Sequence, residues 1–363
     1  MTIIQPTLEQ TRRINRKRTY SGPGFGPRSF ECFGLNLSLS IGLSPGSGGT
    51  PAIDFASKVG GSLILAFQSD KGLVYNGTLA PTSGNTSTTA VTLTNSGSTA
   101  PAALRVKATN SSTVGSGATF NIYTDGGTTP IMTGVTPTAA TPITLTGLPS
   151  VALLWSAGAG VTNDTWDATA ITWTDQASVP HNASQATLTS QPIITPGTGG
   201  KLGLKGNATT TTLQTLLTLP APGTTPSYIF VLARMLSTPS ANAAIVASGG
   251  GTAIGIYCAS STLNIVQFAG TALANPTAVT VNTWYGMTGK FVGSTSDSLK
   301  VGSAAAVTGT SSGTTTPPAG ICLFSVASGF YAPCEIMLVL IANAPFYAGL
   351  AADVTGWCGV TQV

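Results

Sequence analysis

The stretch ITWTDQASVPHNASQATLTSQPII, residues 171–194, decides how the chain is interpreted. It begins with an alternating segment typical of a β-strand, continues through a polar segment with Ser, Pro and Asn, and returns to an apolar segment that ends in two isoleucines. It also contains His181, the only histidine among 363 residues, six positions after Asp175. The stretch is either a strand, a turn and a return strand, or a catalytic centre.

The catalytic interpretation would combine Asp175 and His181 with Ser178 or Ser184. Such a triad requires a carboxylate, an imidazole and a hydroxyl aligned by hydrogen bonds beside an oxyanion hole. The sequence has no Gly-x-Ser-x-Gly elbow near these serines. We therefore predict that Asp175 and His181 brace a turn between two strands.

Composition points to an all-β protein. Asp, Glu, Lys and Arg make up only 7% of the chain, against about 25% in an average soluble protein. The polar surface must come from Thr, Ser, Asn and Gly, which disfavour helix, and 44 glycines and 23 prolines supply turns. This combination predicts many short strands.

The pattern along the chain predicts three parts. Residues 1–50 have no sustained periodicity and form a basic extended arm. Residues 51–160 carry six short alternating segments, and YTDGGTTP contains an Asp-Gly hairpin signal. These features predict a small β-sandwich or barrel. Residues 161–363 carry a longer series of strands, which predicts a two-sheet sandwich with a helical turn near its end.

Four features in residues 163–358 occur in an order known from one family. They are the segment from Trp173 to Pro192, the segment GLKGN at 203–207, the segment VNTWYGMTGKFVG at 281–293, and the closing segment from 329 to 358. In this order the chain resembles the concanavalin A-like lectin/glucanase fold in its laminin G-like form. The resemblance implies a jelly-roll β-sandwich and sugar binding through loops at its rim.

The chain departs from the enzymes and calcium-binding members of that family. A family glucanase carries Glu-x-Asp-x-x-Glu on one strand, because retaining hydrolysis needs two carboxyl groups about 5–5.5 Å apart. This motif is absent from the sequence, so the chain is predicted not to be an enzyme. The nearest candidate for a calcium site, NDTWD at 163–167, offers two carboxylates, Asp164 and Asp167, which could instead cap turns.

Charge is concentrated at one end of the chain. Residues 1–31 hold six of the 15 basic residues and two of the 11 acidic ones, which leaves nine of each in residues 32–363. The proposed assembly anchor consists of Arg12, Arg13, Arg16, Lys17 and Arg18. Aromatic residues between 20 and 33 favour docking of this arm as an extended peptide. A solvated tail and a nucleic-acid contact are the weaker alternatives.

The single histidine, the cysteines, the apolar segments and the tryptophans give further predictions about metal, membrane and sugar binding. One histidine and five scattered cysteines predict no zinc site, no cofactor and buried free thiols. The first residues lack an apolar segment of a secretory signal, and residues 336–346 are too short to span a bilayer, so no membrane association is predicted. The tryptophans considered as sugar-stacking surfaces are Trp166, Trp173, Trp284 and Trp357, but the alternating strand positions of Trp173 and Trp284 favour the core, so no sugar-binding residue is identified.

The basic arm, the low charge and the Thr-rich β-domains together resemble a structural protein of a tailed-phage virion. This resemblance implies a capsid decoration or a fibre element, assembled in the host cytoplasm and found in the virion. The expected partners are other virion proteins and further copies of the chain. The alternative is a carbohydrate- or receptor-binding module that recognises a host surface glycan.

Overall fold

The computed structural model describes residues 53–94, 102–220, 225–249, 254–293, 296–310, 320–326 and 329–363. Residues Gly49–Val363 form one compact unit. The predicted arm, residues 1–50, lies outside the described residues. Its conformation therefore stays a prediction.

The regular secondary structure of the described residues is almost entirely β, which confirms the predicted all-β class. The strands are β1 Leu63–Gln68, β2 Leu73–Tyr75, β3 Ala80–Pro81, β4 Val91–Leu93, β5 Arg105–Ala108, β6 Ser112–Thr113, β7 Phe120–Tyr123, β8 Pro130–Val135, β9 Ile143–Leu145, β10 Leu148–Trp155, β11 Ala159–Gly160, β12 Thr165–Asp167, β13 Ala170–Trp173, β14 Ala183–Ser184, β15 Ile193–Pro196, β16 Leu202–Lys205, β17 Leu213–Gln214, β18 Ser227–Met235, β19 Ala243–Ser248, β20 Gly255–Cys258, β21 Asn264–Phe268, β22 Ala272–Ala278, β23 Tyr285–Phe291, β24 Asp297–Val301, β25 Val307–Gly309, β26 Ile321–Leu323 and β27 Cys334–Ala342. The helices are α1 Phe55–Val59 and α2 Leu350–Cys358, with 3₁₀ turns at Gly60–Ser62 and Leu188–Ser190. In the described part of the chain, no helix has the length and apolar character needed to span a membrane.

Two large antiparallel sheets form a sandwich. Sheet I has the strand order β15-β16-β27-β18-β23-β24-β25, and β1 pairs with the end of β27 that β16 leaves free. Sheet II has the order β2-β13-β14-β17-β26-β19-β20-β21-β22. Val231 and Ile341 of sheet I and Val246 and Ile256 of sheet II belong to the same buried core. The predicted β-sandwich is confirmed.

The central strand β27 is buried at all nine positions, because both its faces are covered. Val339 and Ile341 belong to the core shared with sheet II. Leu338 and Leu340 belong to a second core, which also contains residues of α1 and α2. A strand that is buried on both faces is expected to form a continuous apolar run, as residues 336–342, IMLVLIA, do.

Helix α2 covers part of the outer face of sheet I. Its buried residues Leu350, Val354, Trp357 and Cys358 follow helical spacing and lie on one side of the helix. The helix ends at Cys358, and the next residue, Gly359, has a φ of 77°, the left-handed conformation that favours glycine. The predicted helical turn at the end of the chain is confirmed.

Residues 76–169 form an insertion between two paired strands of sheet II. β2 ends at Tyr75, β13 begins at Ala170, and these two residues lie opposite each other in an antiparallel pair. The insertion contains a sheet of order β3-β12-β5-β7-β8, a sheet of order β4-β10-β9 and the pair β6-β11. None of these closes into a barrel in the described residues. The ring of Phe120 lies between those of Trp155 and Trp166, at centroid distances of 5.5 and 6.0 Å.

Hydrogen-bonded strand pairs cross the domain boundary that the sequence predicts at residue 160. β1 and β2 precede the insertion in the chain, yet they pair with β27 and β13 of the main sandwich. β12 lies beyond residue 160 but pairs with β3 and β5 of the insertion. The sheets therefore assign residues 63–75 to the main sandwich.

The local predictions for the insertion are confirmed. Each predicted strand segment between 90 and 157 contains an observed strand. The Asp-Gly signal lies in the hairpin that joins β7 to β8, where the Asp125 carboxylate accepts hydrogen bonds from the N–H groups of Gly127, Thr128 and Thr129. Cys258, Cys334 and Cys358 are buried free thiols, as predicted, and Cys322 is buried as well.

Candidate functional site

A single buried carboxylate organises the turn at Asp175. Its Oδ1 accepts hydrogen bonds from the N–H groups of Ala66 and Ala177, at 2.8 and 2.9 Å. Its Oδ2 accepts a hydrogen bond from the N–H of His181 at 2.8 Å. The carboxylate therefore joins the β13–β14 turn to β1. The prediction that Asp175 braces a turn is confirmed.

The side chains around Asp175 do not form a catalytic triad. His181 Nδ1 lies 3.8 Å from Asp175 Oδ2, which is too far for a hydrogen bond. This nitrogen is buried and has no hydrogen-bond partner among the described residues. Ser178 and Ser184 are exposed and have no hydrogen bond to His181. His181 contributes to the turn through its main chain.

Asp164 and Asp167 have separate partners and do not form a shared cation site. Asp164 Oδ2 accepts hydrogen bonds from the hydroxyl and N–H of Ser87, both at 2.7 Å, and from the N–H of Thr86 at 2.8 Å. Burial opposes ionisation of Asp164, but the Ser87 and Thr86 hydrogen bonds outweigh it and lower the pKa below its ordinary value. Asp167 forms a bidentate ion pair with Arg105, at 2.5 and 2.8 Å. Within the described segments, no three His, Cys, Asp or Glu side chains come together as metal ligands.

The tryptophans considered for sugar stacking are buried. The exposed fractions of Trp166, Trp173, Trp284 and Trp357 are 2%, 0%, 8% and 0%. Trp284 is also covered by Arg234, whose guanidinium carbon lies 5.0 Å from the ring centroid. These rings stabilise the fold and offer no face to a sugar.

An exposed aromatic ring lies instead at the rim of the sandwich. Phe330 is 52% exposed and has a φ of 57°. That backbone conformation is unfavourable for a bulky side chain, so its cost of about 1–3 kcal/mol must be offset by the surrounding structure. The main chain here is held by a hydrogen bond of 2.7 Å from the N–H of Ala244 to the Phe330 carbonyl oxygen. The ring is therefore displayed from a fixed backbone.

Phe330 and Tyr331 line a groove of about 380 Å³, which we call the rim groove. Its other wall is the loop 237–242 between β18 and β19, which includes Ser237, Ser240 and Asn242. Exposed aromatic faces beside hydroxyl and amide groups are suited to sugars, which present apolar ring faces and hydroxyls. The sequence analysis missed this groove. The segment GFYAP, an aromatic pair between a glycine and a proline, is its only sequence signal.

The predicted anchor residues lie outside the described residues. Arg12, Arg13, Arg16, Lys17 and Arg18 all precede residue 53, where the described part of the chain begins. Their role stays a prediction from the charge pattern.

Comparison with known proteins gives partial structural likenesses only. No family model and no curated protein matches the chain. A sialidase from Trypanosoma rangeli in complex with the inhibitor DANA is 12% identical with a TM-score of 0.36, over 51% of this chain and 30% of that chain. The binding domain of botulinum neurotoxin serotype G is 8% identical with a TM-score of 0.38, over 51% and 48%. A mutant GH54 α-L-arabinofuranosidase is 10% identical with a TM-score of 0.41, over 80% and 63%.

These neighbours correct one prediction and leave another open. The prediction that the chain is not an enzyme is wrong as stated, because a sialidase and an arabinofuranosidase, both glycosidases, are among the structures it resembles. The chain spans less than two thirds of each neighbour's length, and likenesses this weak assign no activity to it. None of the three is described as a laminin G-like domain or a phage protein, so that resemblance stays a prediction.

Proposed function

We propose that this chain is a structural protein of a tailed-phage virion, attached through its N-terminal arm, with the β-sandwich presented outward. The observation that carries the proposal is the separation of charge. Residues 1–31 have six basic and two acidic side chains, whereas residues 32–363 have nine of each. We call residues 32–363, which carry no net charge, the body. A chain with a basic arm and a neutral body is suited to docking its arm against an acidic surface of a larger assembly.

The contacts within the body support this proposal. Each of the nine carboxylates in the described residues has a hydrogen-bond or ion-pair partner, and five of them pair with Lys58, Lys71, Arg105, Lys201 and Arg234. Neighbouring bodies with little net charge repel one another weakly, which favours close packing of copies. The proposed partners are therefore other virion proteins and further copies of this chain.

Incorporation into particles tests the proposal. The full chain is expected to co-sediment with phage particles through a density gradient and to be detected there by mass spectrometry. A chain that stays wholly in the soluble fraction of the lysate would count against a virion role.

The rim groove supports a second candidate function, carbohydrate or receptor binding. Phe330 offers an exposed ring, and Ser237, Ser240 and Asn242 offer polar groups beside it. A displayed virion protein that binds a host glycan would combine both candidate functions.

Replacing Phe330 with alanine is expected to weaken binding of neutral glycans by about two- to tenfold, since stacking on an aromatic ring contributes roughly 0.5–1.5 kcal/mol. Binding is measured on a glycan array and confirmed by titration. The matched control is Leu216→Ala, which removes another exposed apolar side chain, 92% exposed, away from the groove. Equal loss in both variants, or binding that survives Phe330→Ala, would exclude the rim groove as the sugar site.

A further inference from the structure

A second groove lies on the outer face of sheet I, where α2 leaves part of the sheet uncovered. We call it the outer-face groove, and its volume is about 300 Å³. Its floor is formed by β18, β23 and β24, and its wall by the segment 345–351, which leads into α2. This volume is at the lower end of the range for small-ligand sites, about 300–1,000 Å³.

The residues on the floor of the groove lie in two rows, because the strand register places residues of β18, β23 and β24 opposite one another. In the first row, Lys290 lies opposite Tyr228 on one side and opposite Ser298 on the other. In the second row, Thr288 lies between Phe230 and Lys300. The two lysines are thus diagonal neighbours across β23 and β24, and such positions are roughly 7–8 Å apart.

These two lysines differ from most other basic residues of the described part of the chain because they form no ion pair with an Asp or Glu side chain. Of the nine basic residues in the described part of the chain, five form ion pairs with carboxylates. The remaining four are Lys107, Lys205, Lys290 and Lys300, and two of them meet in this groove. No Asp or Glu side chain lines it. Lys300 Nζ donates a hydrogen bond of 3.0 Å to the main-chain oxygen of Val363, and Lys290 Nζ has no partner among the described residues.

A hydrogen bond and a ring contact fix the two aromatic side chains in the wall of the groove. The hydroxyl of Tyr347 donates a hydrogen bond of 2.7 Å to Asp353 Oδ2, which also pairs with Lys58 at 2.6 Å. Phe346 contacts Phe230 edge-to-face, with ring centroids 6.2 Å apart. Lys58 neutralises Asp353, and Lys300 Nζ is engaged by the main-chain oxygen of Val363, so Lys290 is the lysine of the groove that has no partner among the described residues. Fixed rings reduce the conformational entropy that ligand binding would cost.

We propose that the outer-face groove binds a carboxylated saccharide. Lys290 and Lys300 supply cations for the sugar carboxylate, Ser298 and Thr288 supply hydroxyls for the sugar hydroxyls, and Tyr228 supplies a half-buried ring. Together these groups match the anionic, polar and apolar parts of one acidic sugar. This site is separate from the rim groove, so Phe330→Ala is expected to leave it unchanged.

Titration of the full chain with polygalacturonate oligomers tests the proposal, with the fully methyl-esterified oligomers as the uncharged reference. We expect Lys290→Gln combined with Lys300→Gln to weaken binding of the carboxylated form by about tenfold or more, because charge-assisted hydrogen bonds are lost. The matched control combines Lys107→Gln with Lys205→Gln, which removes the same charge from the other lysines without ion pairs. The basic arm is the same in all variants, so the difference between the two pairs isolates the groove.

Three results would overturn the proposal: an equal loss in both double variants, equal affinity of the unaltered chain for the esterified form, or a larger loss of dextran sulfate or inorganic phosphate binding than of carboxylated-sugar binding in the Lys290→Gln, Lys300→Gln variant. Lysine acetylation, read by mass spectrometry, gives a second measurement that needs no variant. The carboxylated oligomer is expected to protect Lys290 and Lys300 but not Lys107 and Lys205. Equal modification of all four lysines with and without the oligomer would contradict the assignment.

Discussion

Replacing Asp175 with alanine is expected to lower the free energy of unfolding by about 3–5 kcal/mol, since hydrogen bonds to a charged acceptor contribute roughly 1.5–3 kcal/mol each. Three main-chain N–H groups lose their acceptor. The N–H of Ala66 lies in a buried strand, 1% exposed, where water cannot replace the carboxylate. The groups on Ala177 and His181 lie in a partly exposed turn and regain some solvent contact. Urea unfolding followed by tryptophan fluorescence measures the change.

The control for Asp175 is its neighbour His181. Its Nδ1 has no hydrogen-bond partner among the described residues, so His181→Ala is expected to cost less than about 1 kcal/mol. Asp175→Asn retains one acceptor oxygen and is expected to fall between the two. Equal effects of Asp175→Ala and His181→Ala would contradict the assignment of the carboxylate as the group that holds the turn to β1.

Replacing Trp357 with alanine is expected to destabilise the protein by about 3–5 kcal/mol, the usual range for removing a buried tryptophan. Trp357 is 0% exposed and packs edge-to-face on Phe55, with ring centroids 5.4 Å apart. Its Nε1 donates a hydrogen bond of 2.9 Å to Asp70 Oδ2, and Lys201 Nζ lies 5.6 Å from the ring centroid. The substitution therefore leaves a cavity and breaks the contact between α2 and the segment after β1.

Trp357→Phe separates packing from hydrogen bonding. It keeps an aromatic ring against Phe55 but loses the bond to Asp70, so a cost of about 1–3 kcal/mol is expected. Thermal and urea unfolding of both variants give the comparison. Unchanged stability in Trp357→Ala would mean that α2 contributes little to the sandwich.

Strands were predictable from the sequence because their signals are local. The alternation in SLILAFQ and the Asp-Gly turn between β7 and β8 depend only on neighbouring residues. The pairing of distant strands was not predictable in this way. β1 pairs with β27 some 270 residues further along the chain, and no local pattern specifies that partner. The insertion of residues 76–169 between the paired β2 and β13 was missed for the same reason.

The candidate sites, too, were predictable only where the sequence signal is local. Asp175 was correctly placed in a turn, because an acidic residue followed by a polar segment after a strand is a local signal. All four tryptophans considered for sugar stacking are buried, because large rings contribute most to a core, and the alternating strand positions of Trp173 and Trp284 had favoured this outcome. Phe330 is displayed by a loop conformation that sequence does not encode in an obvious pattern. Lys290 and Lys300 become neighbours only through the register of β23 and β24.

Particle incorporation of a chain that lacks residues 1–30 tests the proposed attachment most directly. Residues 53–363 contain every contact described for the body, so the shortened chain is expected to fold with an unchanged circular dichroism spectrum and melting temperature. It is also expected to be missing from particles purified by density gradient, while the full chain, produced at the same level, bands with them. A shortened chain that is folded and present in particles at the level of the full chain would contradict attachment through the basic arm.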